Sequence, residues 1–326
     1  TFSIALVLGG GPSATTVELA IYQTIIFEGD LSAAARLSTL QLILLTFLLI
    51  LATRVTGNIF IEQTIILKND IRGPKTSLTH WVDFFFIILF CLLLFLPILI
   101  IISKGLANIV IPTDNLILSA MNSILVALLA TFINLTFSLA LCLLIVDEKR
   151  KLLKTLIEVG SFSIICISPL VFGTALFLLL FEHIDLSANA LLLTGFTNGV
   201  LMIPISLAIL LPGFKKIKTR YGKLMNIIGV PRTGELVKFY VPLLKKSIRF
   251  SCALVFALSV GDLGIIVLFS GNDIGTLPMY LYRLIGSYRM DEAYFVSMIL
   301  LLLAFTSFWL IENGNLNVFK RKQMSD

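Results

Sequence analysis

The chain has 326 residues, of which 58% are hydrophobic and only 13% charged, with a mean hydropathy of +1.01 and a net charge of +6. A water-soluble domain carries roughly 25% charged residues, so this composition excludes an ordinary soluble fold. The excess positive charge sits in short connections between apolar runs, where it orients a membrane protein, and not on a surface that would attract nucleic acid.

In chain order, the sequence opens inside an apolar run, 1–8, with no basic leader, which excludes a signal peptide and reads as the end of a span that starts before Thr1. Seven apolar segments follow an outer connection at 12–30: about 33–53, 84–103, 116–146, 156–180, 189–211, 248–270 and 292–311. Runs near 20 residues suit transmembrane helices, and helices satisfy their own backbone groups in lipid. The third run is longer than a span needs, so it tilts or projects. The expected fold is all-α, a polytopic transmembrane bundle of about seven full spans plus a partial first one. Threading the runs alternately places 21 of the 25 Lys and Arg residues on one side, leaving Arg36, Lys104, Arg283 and Arg289 on the other. The first side is expected to be cytoplasmic, with the C-terminus on it.

Shifting the sequence by 260 residues lays Leu6–Ile25 over Ile266–Ile285, with Gly11/Gly271, Thr16/Thr276 and Tyr22/Tyr282 coinciding. Each copy leaves an apolar run, crosses an outer connection and enters another run, which implies two parallel homologous halves. The expected organisation is 1–54 as the end of a first half, 55–82 as a cytoplasmic linker, 83–312 as a second half and 313–326 as a cytoplasmic tail.

Residues suited to chemistry are few. Cys91, Cys142, Cys166 and Cys252 lie in apolar runs without a C-x-x-C pair and read as small buried hydrophobes; His80 and His183 stand alone, so no metal site is expected. Gly9-Gly10-Gly11 lacks the Lys-Ser/Thr of a phosphate-binding loop, and Asn134-Leu135-Thr136 matches a glycosylation acceptor only by chance. Asp262, flanked by Gly261 and Gly264, is the one acid well inside an apolar run: it either faces a cation in a pathway or bonds a neighbouring backbone where the glycines permit close packing. An ion-coupled carrier would show several such groups, and a membrane enzyme a convergent acid, His or Cys cluster. The connection 212–247 is long and patterned. Tyr221, Leu224, Met225 and Ile228 recur at helical spacing, Gly229-Val230-Pro231 breaks the helix, and Thr233 can cap a second short helix that Pro242 closes. Its apolar faces suit either a partner's groove or the membrane surface.

Gly229, a gap of twelve residues and Pro242, with Phe239 and Val241 between them, resemble the G-x9-I-x-L-P part of the loop motif of binding-protein-dependent ABC importer permeases; Lys223, Leu224 and Met225 stand where that motif has E-A-A. Ser259–Gly264, Thr276–Tyr282 and Ile285–Arg289, with Leu8–Glu18 at the front, resemble the fused two-half permeases of thiamine importers. The resemblance implies no catalysis in this chain. It implies cytoplasmic ATPase subunits that use ATP and dock on Lys223, Leu224, Met225, Gly229, Val230, Phe239, Val241 and Pro242. It also implies a periplasmic binding protein delivering thiamine or its phosphates to an outer rim carrying Arg283 and Arg289. Related permeases for iron(III), sulfate or polyamines are the alternative within the class, and an ion-coupled secondary carrier the alternative outside it.

Overall fold

A computed structural model describes residues 5–6, 15–56, 77–109, 114–228, 232–269 and 275–314. The described residues are helical, turn or irregular, with no strand among them. Most of the partial span at 1–8 and of the linker at 55–82, Gly229 and Val230, and the tail from 315 lie outside them.

From residue 15 on, the outer connection at 12–30 holds a helix, α1 (Val17–Gln23), prolonged by a π turn over Thr24–Glu28 and ended by Gly29 in the left-handed region. It leads into α2 (Leu31–Thr56). The long apolar runs behave as their length demands: α3 (Ser77–Ala107), α4 (Asp114–Asp147) and a terminal helix of 24 residues, Met290–Asn313, are unbroken. Together with Leu31–Leu48 of α2 these are, among the described residues, the four continuous helices long and apolar enough to cross a membrane. At 1.5 Å per residue the 34 residues of α4 reach about 50 Å, beyond a hydrocarbon core of about 30 Å.

Three expected spans are broken, each at an identifiable residue. The run at 156–180 divides into α5 (Lys151–Ser163), a 3-10 turn and α6 (Pro169–Leu180). Pro169 explains the gap, because a residue preceding proline is pushed out of the α region, and Ser168 is extended at φ −64°, ψ 138°. The run at 189–211 divides at Met202 into α7 (Ala190–Leu201) and α8 (Ile203–Ile228), which meet at 42°; Pro204 cannot bond the carbonyl of Val200. Counted as one bent span, this pair makes a fifth crossing.

Beyond 232 the chain forms α9 (Arg232–Glu235), a π turn over Leu236–Tyr240 and α10 (Val241–Leu243). Next come α11 (Lys245–Val260), α12 (Ile266–Phe269), α13 (Leu277–Gly286) and α14 (Met290–Asn313). The run at 248–270 therefore breaks after Val260, at Gly261 and Asp262. Proline does not close the second short helix as its sequence position suggests. Pro242 stands at the start of α10, where its missing N–H interrupts nothing. The helix starts repeat at the shift seen in the sequence: α1 begins at Val17 after Thr16, and α13 at Leu277 after Thr276.

Contacts fix the running directions. Gly195 meets Leu129, Gly199 meets Ala130 and Ile133, and Ser206 meets Asn134, so α7–α8 run parallel to α4 and the chain between them must cross back. Asn198 bonds Ser259 while Ser206 bonds Ser251, so α11 runs antiparallel to α7–α8. α14 packs on α11 where the rings of Phe250 and Phe308 meet edge to face. Packing at the α4–α7 seam depends on glycine: a Cβ at Gly199 would lie 2.9 Å from the carbonyl oxygen of Ala130, which is backbone and cannot turn aside. The Asn134 carboxamide donates to the Gly199 carbonyl at 2.9 Å, and its oxygen accepts from the Ser206 hydroxyl, which in turn accepts from Ser251 at 2.9 Å. These bonds hold three helices in register in an environment with no water to substitute.

Gly199→Ala should therefore force α4 and α7 apart at a cost of about 1–3 kcal/mol, read as a lower melting temperature in detergent. Gly160→Ala in α5, where a Cβ meets nothing within 4 Å, should be neutral or stabilising by up to about 1 kcal/mol. Equal effects would refute the close-packed seam.

Candidate functional site

At the end of the bundle that carries most of the Lys and Arg, α8 continues beyond its apolar run, which ends at 211, and α9 and α10 follow it. Two aromatic rings join these layers: Tyr240 and Phe214 stack with centroids 4.5 Å apart and planes at 10°, and neither is exposed. Met225 is also fully buried, with Leu210, Ile217 and Leu244 in the same cluster. Burial pushes the Tyr240 phenol up to about 12, so the ring stays neutral. The charged counterpart is Lys218 in α8, whose ammonium lies 2.7 Å from Asp147 at the end of α4 and 3.6 Å from the buried Glu235 of α9. Three segments distant in sequence are thus clamped by one cation. A second pair, Lys215 with Glu158 at 2.8 Å, fastens α5 to α8.

Other side chains of these segments stay outside that packing. Leu224, Ile227 and Val237 are 45%, 82% and 63% exposed, and Val241 and Leu243 are exposed beside them in sequence. Lys223 and Lys238 are exposed in the same two stretches. Of the residues expected to dock a partner, Lys223, Leu224, Val241 and Pro242 are exposed, Phe239 is half-buried in the cluster, and Met225 supports the helix from below. Gly229 and Val230 lie outside the described residues, as does the side chain of Thr233.

At the other end, Arg283 and Arg289 line one polar cleft of about 320 Å³, with Asn115, Ser119, Asn122, Tyr280 and Ser287. Arg289 also pairs with Glu292 one turn along. The cleft floor is fixed by Asn122, which donates to the Gly275 carbonyl at 3.0 Å, and by Ser123, which accepts from the Leu277 N–H at 2.7 Å. Asp262 occupies the break after α11. Its Oδ1 accepts from the Gly264 N–H at 3.3 Å, closing a local turn, and the Asn198 carboxamide lies beside it. Gly261 has open space around it, with nothing nearer than 3.9 Å, and does not mediate a tight contact there.

Sequence reading passed over the buried polar set Asn134, Asn198, Ser206, Ser251 and Ser259. The available signal was an amide inside an apolar run: Asn134 looked like a fortuitous glycosylation site and is in fact 2% exposed and bonded on both sides of its carboxamide. Cys91, expected to be buried, faces outward from α3, whereas Cys142 is buried.

Comparisons with known proteins agree with the resemblance seen in the sequence. The chain is 34% identical over 319 residues to the thiamine transport system permease protein ThiP of Escherichia coli, 32% over 323 residues to that of Salmonella typhimurium and 31% over 318 residues to that of Haemophilus influenzae. The first two alignments cover 96% of this chain and 59% of the relative, the third 93% and 57%. The chain thus spans somewhat more than half the length of the relatives it matches. No protein-family model matches it.

Lys218→Met removes the charge and retains most of the stem. It leaves Glu235 and Asp147 without this cation, and should cost about 1–3 kcal/mol, seen as a lower melting temperature in detergent. Lys218→Arg should recover most of the loss. A melting temperature unchanged in Lys218→Met would show that the clamp contributes nothing.

Proposed function

We propose, from similarity to thiamine permeases over nearly the whole chain, that this protein is a membrane-spanning permease of an ATP-driven importer for thiamine or its phosphates. The observation that carries the reading beyond the similarity is the exposed apolar face of Leu224, Ile227 and Val237. Its supporting helices are tied to the bundle by Tyr240 and Lys218. Exposed apolar side chains of this kind suit a contact with a protein or a membrane surface, and we take the protein contact. In this reading ATP is bound and hydrolysed by cytoplasmic ATPase subunits that seat on this face. A push on α9–α10 passes through Lys218 to α4 and through the Phe214–Tyr240 stack to α8. The chain itself performs no catalysis. The basic end and the C-terminus face the cytoplasm of a bacterial inner membrane, and the Arg283–Arg289 cleft faces a periplasmic binding protein. The division at 54 and 82 into the end of one half, a linker and a second half follows from the repeat.

Three measurements bear on this. Proteoliposomes holding the chain with its ATPase and binding protein should accumulate radiolabelled thiamine when ATP is supplied. Accumulation of iron(III), sulfate or spermidine in its place would overturn the substrate, and accumulation driven by an ion gradient without ATP would favour a secondary carrier. Cysteines at Leu224 or Val237 should cross-link to the ATPase in the assembled complex; labelling by lipid probes alone would instead make this face interfacial. Charge reversal at Arg283 or Arg289 should weaken delivery by the binding protein severalfold with basal ATP hydrolysis intact, and unchanged delivery would refute the rim.

A further inference from the structure

Glu18 stands where the repeat-related elements α1 and α2 meet the remainder of the chain. It lies in the first turn of α1. Its Oε1 accepts from the hydroxyl of Ser168, the residue before α6, and from the Gln41 amide of α2 at 3.4 Å. One carboxylate oxygen therefore joins segments 150 residues apart. Among the described residues no Lys, Arg or His pairs with it. Arg36, the nearest basic residue in sequence, acts on Asp30 at the start of α2.

Two polar atoms on one face of α2 also have no partner among the described residues. Gln41 Oε1, on the same carboxamide that donates to Glu18, is buried without a partner, and so is the hydroxyl of Ser38, three residues earlier on that face of α2. Ser38 is only 8% exposed. Leu19 beside Glu18, Leu37 beside Ser38 and Leu170 near Ser168 belong to one apolar cluster. Among the described residues no cation offsets this half-buried carboxylate, and orphaned polar atoms in such a setting are costly unless something completes them.

We propose that Glu18, with Gln41 and Ser38, binds the transported substrate as an organic cation bearing N–H or O–H donors, at the junction of the repeat-related elements. Repeat interfaces are where transporters place their pathways. The carboxylate supplies the counter-charge, and Gln41 Oε1 and Ser38 Oγ accept from donors on the ligand. This rests on the thiamine reading and deepens it: thiamine has a permanently charged thiazolium ring, an aminopyrimidine and a primary hydroxyl. The same carboxylate repels sulfate and requires any phosphate on the ligand to point away from Glu18.

The experiment compares Glu18→Gln with the unmodified chain in the complete complex, measuring ATP-driven uptake of radiolabelled thiamine. A second arm measures binding of the same compound to the chain in nanodiscs, with neutral thiochrome as competitor. Glu18→Gln keeps an acceptor for Ser168 and Gln41 and loses only the charge. Its thiamine affinity should fall about tenfold or more, with the melting temperature unchanged or higher, and thiochrome should compete poorly with thiamine on the unmodified chain. Should Glu18→Gln fail to fold, Gln41→Met must raise the KM for thiamine severalfold. Equal uptake and binding by unmodified and variant chains would overturn the site while leaving the transport function intact. No thiamine uptake by the unmodified complex would overturn the function and this site with it.

Discussion

Irregular backbone inside a membrane must find its hydrogen-bond partners within the protein, and here α4 supplies them. Asn122 takes the carbonyl of Gly275, Ser123 takes the N–H of Leu277, and Asn134 takes the carbonyl of Gly199 just before the bend at Met202. Each of these groups belongs to a stretch where a helix starts or stops. The longest helix of the bundle is thus a straight reference to which the interrupted elements are pinned. The relay from Asn134 through Ser206 to Ser251 extends the same service to α11.

Both candidate functional ends inherit their positions from that reference. The outer cleft has Asn115, Ser119 and Asn122 of α4 along one wall, and the inner clamp has Asp147 of α4 as one jaw. A shift of α4 along its axis would therefore be felt at the two ends together, without any side chain spanning the distance between them. Lys218 and the Phe214–Tyr240 stack attach the inner end to the segment that offers Leu224, Ile227 and Val237.

Much of this was legible from hydropathy. The long runs now seen as α3, α4 and α14 were placed within a few residues, because uninterrupted apolar stretches leave a helix in lipid no alternative. Averaging over a window hid the breaks: Pro169, Pro204 and the Gly261–Asp262 pair sit inside apolar text that scores as continuous. The outer connections read as loops because Glu18 and Arg283 interrupt their apolar pattern, yet α1 and α13 bury Leu19, Ile21, Leu277 and Leu284. The buried polar set was illegible for a different reason. Asn134, Ser206 and Ser251 come from three segments, and no spacing within one segment shows that they meet.

Helix α3 differs from its neighbours in a way that bears on biosynthesis. From Trp81 to Ala107 its mean hydropathy is 3.4, residues 81–97 are exposed throughout, and it meets α14 near its end, where Gly105 lies against Met298 and Lys104 bonds Tyr294. Such a segment partitions from the translocon into lipid on its own affinity. Helix α7 carries Thr194, Thr197 and Asn198, all buried; the threonines bond carbonyls of their own helix, but Asn198 needs Ser259 of α11 and the Gly199 carbonyl needs Asn134 of α4. The emerging chain would then release α3 at once and retain α7 until α11 has been synthesised.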